Sequence, residues 1–128
     1  MYAQVDILIH ATEDGDRILK SFLRLFGIKE YKLFRYDLTG HYKNPLTLYK
    51  LRIRGIEARK LLENILKKLD EVDREYLFIN LDEYIDRRKF YLRLEKNSIC
   101  IGKVRLVNRD PIKIVFYNID KDVILSYS

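Results

Sequence analysis

The stretch Tyr49-Lys50-Leu51-Arg52-Ile53-Arg54 alternates apolar and cationic side chains without a break. Successive side chains of a β-strand point to opposite sides, so this run predicts a strand with Tyr49, Leu51 and Ile53 turned inward and three cations on the other face. The same period returns downstream. Phe90, Leu92 and Leu94 alternate with Tyr91, Arg93 and Glu95; Val104 and Leu106 alternate with Lys103 and Arg105; Ile112, Ile114 and Phe116 alternate with Lys113 and Tyr117. Pro111 stands at a strand entrance, where a missing N–H is tolerated. Upstream, Ala3, Val5, Ile7 and Ile9 oppose Gln4, Asp6 and His10, and an aromatic-rich strand is expected over about Tyr31 to Leu38. The segment Thr39 to Pro45 fits neither period and reads as the loop between two strands.

Helical spacing occupies the gaps. Ile18, Leu19, Phe22, Leu25 and Phe26 follow Thr12, a candidate N-cap, and Gly27 reads as the stop. Ala58, Leu61, Leu62, Ile65, Leu66 and Leu69 form an apolar stripe, and Asp73 is placed to cap a further helix carrying Tyr76, Leu77, Leu81, Tyr84 and Ile85. Asn97-Ser98 ends the strand that begins at Phe90. The order is strand, helix, two strands, helices, then strands. It predicts a single α+β domain over residues 1–118, with a mostly antiparallel sheet, helices packed on one face and a basic open face. Residues 119–128 show no firm period and read as a C-terminal tail.

The 128 residues suffice for one core and are too few for two ordinary domains. A hydrophobic share of 48% with only two prolines excludes a disordered or low-complexity chain. No apolar run approaches the ~20 residues of a membrane span, and the N-terminus does not open a signal peptide. Cys100 is the single cysteine, which excludes an internal disulfide and fits a reducing cytoplasmic setting. The net charge of +6 is unevenly spread. Residues 29–54 carry seven cations against two carboxylates and residues 87–117 nine against two, whereas residues 55–86 carry five against nine. The positive excess therefore lies in the two strand-rich blocks.

Lys50, Arg52, Arg54, Arg93, Lys103, Arg105 and Lys113 are expected to share the open face with Tyr91 and Tyr117, with Glu95 as the one carboxylate placed there in these strands. Like charges opposed on neighbouring strands cost up to roughly 1 kcal/mol per pair. A polyanion relieves that repulsion, phosphate contacts release counterions, and tyrosine rings stack unpaired bases. The bland alternative is that strand lysines and arginines only guard edges, or mark a heat-stable protein. A second functional reading is a protein-interaction module, with the basic sheet docking an acidic subunit or pairing two copies.

Catalytic readings have little support. His10 and His41 lack a neighbouring nucleophile motif, and no glycine-rich phosphate loop occurs. No spacing motif joins His10, His41 and Cys100 into a metal site, and Ile99 and Ile101 around Cys100 suggest an inert buried thiol. The acidic run Asp70, Glu71, Asp73 and Glu75 lacks calcium-loop spacing and reads as a solvated helix junction or a docking surface for a basic partner. Neither a cofactor nor a metal is expected.

Four stretches carry a resemblance. Gly40-His41-Tyr42-Lys43-Asn44-Pro45-Leu46 resembles the Gly-His-aromatic-x-Asn-Pro-aliphatic motif of an archaeal family described as predicted RNA-binding exosome subunits. Phe90 to Lys96 followed by Gly102 resembles that family's Tyr-Leu-Arg-Leu-Asp-Lys strand, Asp110-Pro111-Ile112 its ending, and Ala11-Thr12-Glu13-Asp14 its first strand-to-helix junction. The similarity covers roughly residues 3–117. It implies a fold like the ribosomal protein that holds five-S ribosomal RNA. It also implies a non-catalytic RNA-associated role, with exosome or ribosome-associated proteins as partners. The His41–Asn44 loop (His41, Lys43 and Asn44) joins the expected RNA contacts. Lys43 stands where the family often has glycine, which bears on the loop's conformation, and Glu95 where it often has aspartate.

Overall fold

In the computed structural model, which describes residues 1–128 except the side chain of His41, six strands form one sheet. They are β1 (Tyr2–His10), β2 (Lys32–Thr39), β3 (Pro45–Arg54), β4 (Ile85–Asp86), β5 (Lys89–Leu94) and β6 (Ile112–Tyr117), in spatial order β2-β3-β1-β6-β5-β4 with every pairing antiparallel. The helices are α1 (Gly15–Leu25), α2 (Gly55–Lys68), α3 (Glu71–Ile79), α4 (Lys96–Cys100) and α5 (Lys121–Leu125). No described helix is long and apolar enough to cross a membrane. The architecture is the single α+β domain that the alternating and helical periods predict.

One face of the sheet makes the core. Ala3, Val5 and Ile7 of β1, Leu51 and Ile53 of β3, Phe90, Leu92 and Leu94 of β5, and Ile112, Ile114 and Phe116 of β6 are buried together. The α2 stripe Ala58, Leu61, Leu62, Ile65 and Leu66 closes over them with Phe22 of α1 and Leu77 of α3. Each buried Leu or Phe contributes on the order of 1.5–3 kcal/mol, so the period-two and period-3.6 patterns together fix which face of each element is inside.

Four details differ from the sequence expectation. Asp14, not Thr12, caps α1: its Oδ1 accepts from the Arg17 N–H at 3.1 Å, while Glu13 folds back to accept from the His10 N–H at 2.9 Å. The cap of α3 is Asp70; Asp73 lies within the first turn, where its carboxylate accepts from the Leu106 N–H at 2.9 Å. Lys103–Leu106 is not a strand of the sheet. Val104 makes an isolated parallel bridge to Leu69 and Leu106 an antiparallel one to Leu94. Extended backbone of any kind alternates its side chains, so this connector imitates a strand in sequence. Lastly, residues 119–128, a tail without a firm period in the sequence, carry α5. Ile119 and Ile124 are buried, and the Arg74 guanidinium, stacked on Phe78, donates to the carbonyls of Leu66 and Tyr127.

Two turns settle the strand register. α1 ends at Gly27 (φ 59°), where the Ile28 N–H reaches Leu23 O at 3.0 Å and the Gly27 N–H reaches Arg24 O at 3.2 Å, the paired bonds of a left-handed helix stop. Between β2 and β3, Gly40 donates to Asn44 O at 2.8 Å across a 3-10 turn, and Tyr42 and Lys43 both take φ of 60°. A side chain on Gly40 would meet Leu46 at 2.9 Å, so the Gly-to-Leu motif forms a tight hairpin end.

Candidate nucleic-acid interface

The strand registers arrange the face opposite the core into rows. At one end Arg54, Tyr2, Tyr117, Lys89 and Asp86 lie side by side. The next row reads Lys32, Arg52, Gln4, Val115, Tyr91, and the third Phe34, Lys50, Asp6, Lys113, Arg93. Beyond these the face turns apolar, with Tyr36, Leu48 and Leu8, then Leu38, Leu46 and His10. Arg52, Arg54, Lys89, Tyr91, Arg93 and Lys113 are exposed, so no helix covers this side.

Of the cations expected here, Lys50, Arg52 and Arg54 of β3, Arg93 of β5 and Lys113 of β6 do share the face, with Tyr91 and Tyr117 among them. Lys103 and Arg105 do not. They sit in the connector that borders β5, where the Glu95 N–H bonds Arg105 O at 2.9 Å and the Val107 N–H bonds Arg93 O at 3.0 Å. Glu95 also leaves the face, because β5 ends at Leu94 and Glu95 caps α4, accepting from the Ser98 hydroxyl. The carboxylates that belong to these rows are Asp6, between Lys50 (3.8 Å) and Lys113, and Asp86 at the end of the first row. Lys43 and Asn44 lie at the far end of β3 from Arg54, roughly 30 Å away at the rise of a strand. The side chain of His41 lies outside the described residues.

Two like-charge pairs stand directly opposed: Lys32 with Arg52, and Arg93 with Lys113. Aromatic rings take up part of that charge. Arg52 lies over Phe34 at 5.4 Å, Lys89 over Tyr117 at 5.6 Å, and Tyr117 stacks on Tyr2 at 4.5 Å. Lys32, Phe34 and Tyr36 extend the surface beyond the candidates read from sequence, since the alternation of β2 is blurred by apolar residues on both of its sides.

Two clefts meet at Arg93 and Asn108. One of about 610 Å³ lies on the sheet, floored by Leu8, Leu38 and Leu48 and flanked by Asp6, Asp110 and Lys113. The other, about 530 Å³, runs beneath the rim formed by α3 and the turn after it, lined by Tyr76, Tyr84 and Tyr91 with Asp73 and Glu83. Burial pushes the Tyr84 phenol above its ordinary value, and nearby Tyr76, Glu83 and Asp73 add to the shift, so it stays a neutral ring at physiological pH. Nothing in the local pattern around Tyr76 and Tyr84 announces this cleft; it is made by bringing α3 beside the edge of β5.

His10, Glu13 and Asp110 are the one group of three metal-type side chains among the described residues. Their centre is already held by a cation. Lys96, only 5% exposed, places Nζ 3.1 Å from Glu13 Oε1 and 3.0 Å from Asp110 Oδ1, and also donates to Leu8 O; His10 Nε2 lies 3.2 Å from the same Asp110 oxygen. A divalent ion would have to displace that ammonium, so the cluster fits a buried ion pair better than a metal centre. Cys100 is half-buried and stands outside the group.

A protein-family model described as RNA binding matches residues 2–117. The chain belongs to this RNA-binding family. Among its relatives is an RNA-binding protein of Pyrococcus abyssi, 29% identical over 109 residues, which cover 80% of this chain and 71% of that one. Another is an uncharacterized protein of Methanocaldococcus jannaschii, 26% identical over 121 residues, with 90% and 81% covered. Among solved structures, a protein from Sulfolobus solfataricus superposes with a TM-score of 0.83 at 24% identity, covering 99% of this chain and 94% of that one, which shows the shared fold. The other three motif stretches of the family resemblance acquire a physical meaning here: Glu13, Lys96 and Asp110 come one from each, and the fold brings all three to a single ion cluster.

Proposed function

We propose that this member of the RNA-binding family is a non-catalytic binding protein that holds RNA on the rows of Lys50, Arg52, Arg54, Arg93 and Lys113. The observation that carries the reading is the direct opposition of Arg93 to Lys113 and of Lys32 to Arg52 on an uncovered face, a repulsion that phosphate relieves. Arg93 is central, because it borders both clefts: a phosphate held there leaves one neighbouring nucleotide beside the Leu8 and Leu48 floor and the next beside Tyr91 and Tyr84. Bases that enter such clefts must be unpaired, so single-stranded or loop RNA is the substrate this geometry favours. In this reading a strand that continues along β3 touches Lys43 and Asn44, and contacts past the edge of β5 fall to Lys103 and Arg105. The family resemblance supports service as an accessory subunit of the exosome or of ribosomal RNA processing, in the cytoplasm.

The test is an RNA titration of the chain against its Arg52→Glu/Arg54→Glu/Arg93→Glu variant, with circular dichroism to check the fold. We expect binding to fall at least 100-fold while the spectrum is unchanged; equal affinity sinks the reading. The four leucines beside the cations favour a second use of the face, docking an acidic protein subunit. Pull-down after nuclease treatment separates the two, since a protein partner survives the loss of RNA.

A further inference from the structure

β2 has β3 on one side and no strand on the other. All eight of its residues are exposed, and Leu33, Phe34, Tyr36 and Leu38 are between 38% and 45% exposed. Soluble proteins ordinarily blunt such an edge with proline, a bulge, inward charges or a very short strand, because its free N–H and C=O groups invite another strand. β2 has neither shortness nor proline, its one lysine is at its first position, and its two inward-side charges, Arg35 and Asp37, are of opposite sign and pair with each other at 3.3 Å, so they do not repel a second strand.

The pairing with β3 identifies which groups are free. Gly40 bonds Asn44, so bonded positions recur at every second residue, at Leu38, Tyr36 and Phe34. Pro45, with no N–H, correspondingly faces Thr39 at a non-bonded position. The backbone groups of Leu33, Arg35, Asp37 and Thr39 therefore point away from the sheet.

We propose that β2 pairs antiparallel with β2 of a second copy of this chain, about a twofold axis through Tyr36. Keeping like faces together allows registers that differ by two residues in pairing. With the axis at Tyr36, Arg35 of each copy lies opposite Asp37 of the other, Phe34 opposite Leu38, and Leu33 opposite Thr39; the first and third of these are the outward-bonding positions. An axis at Arg35 sets Arg35 against Arg35, and one at Asp37 sets Asp37 against Asp37. Charge thus selects one register. Within one chain Arg35 Nε already lies 3.3 Å from Asp37 Oδ1, on the side of the sheet away from the basic rows, so pairing extends an existing ion pair into a four-residue network. The product is a continuous sheet of two six-stranded halves, with both basic faces on the same side.

This inference is independent of whether RNA is the ligand, and analytical ultracentrifugation of the full chain without RNA tests it. Over a roughly hundredfold range of protein concentration the chain is expected to shift from monomer to dimer. Arg35→Asp alone and Asp37→Arg alone each create like-charge oppositions and should weaken dimerisation roughly 10- to 100-fold. Mixing the two variants in equal amounts should restore a dimer, now a heterodimer, which also shows that both are folded. The combined Arg35→Asp/Asp37→Arg chain should dimerise by itself. Arg35→Pro removes an outward N–H without touching the β3 ladder and should give a folded monomer. A wild-type chain that stays monomeric overturns the proposal. So do single variants that dimerise as well as the wild type, or a mixture that fails to recover.

Discussion

Lys96 is the residue whose role is least visible in its neighbourhood and most visible in the fold. Its ammonium replaces water with two carboxylates and a backbone carbonyl drawn from β1, the β1–α1 junction and the segment before β6. Removing it leaves Glu13 and Asp110 facing each other without a cation, a change that costs most where water is excluded. Asp110 is partly exposed, so the full buried-pair penalty is discounted. Lys96→Met should destabilise the protein by about 2 kcal/mol, read as a melting temperature lower by roughly 6–10 °C. An unchanged melt would show the cluster to be ornamental. The sequence offers Glu13, Lys96 and Asp110 only as parts of three separate motifs; their meeting is a long-range event that no local spacing encodes. Asp6 is similar. Its own strand was legible, but its position between two lysines depends on the registers of β3 and β6.

Among the elements, the β2–β3 hairpin carries strain, as does the β4–β5 turn, where Arg87 and Arg88 also take positive φ. Tyr42 and Lys43 both adopt a left-handed backbone, which costs an L-residue on the order of 1–2 kcal/mol, and Lys43 stands where glycine is common in the resembling family. Glycine recovers most of that cost but gives up some through its freer unfolded chain. Lys43→Gly should therefore stabilise the protein by about 0.5–1 kcal/mol, a gain of a few degrees in the melt; a loss would mean that the lysine side chain has a structural contact that outweighs its backbone. At this scale the sequence was most informative. Period two located β1, β3, β5 and β6, because their inner faces are buried and a one-residue slip would expose them. It misled at Lys103–Leu106, where the same alternation arises from two single bridges, and it said little about β2, whose apolar residues are exposed on both sides.

Across the whole molecule, charge is separated by segment. The strand-rich blocks supply the positive excess, while residues 55–86, which include α2 and α3, carry nine carboxylates against five cations. The acidic excess lies in residues 70–86, with seven carboxylates against Arg74 alone, beside the cleft at the β4–β5 end of the sheet, whereas α2 carries four cations against two carboxylates. If about six cations meet phosphate, affinity for single-stranded RNA should drop roughly 10²- to 10³-fold between about 50 and 200 mM salt. A titration that is flat in salt would assign recognition to the clefts alone.

The acidic end has a consequence for how a polyanion meets the protein. A body that is positive along the sheet face and negative beside the β4 end is turned by the field of a polyanion before contact, so a strand arrives with the rows of β3 and β6 foremost. Asp73 and Glu83 repel phosphate from the cleft they line, so the backbone of such a strand stays on the rows and only its uncharged bases reach Tyr76 and Tyr84.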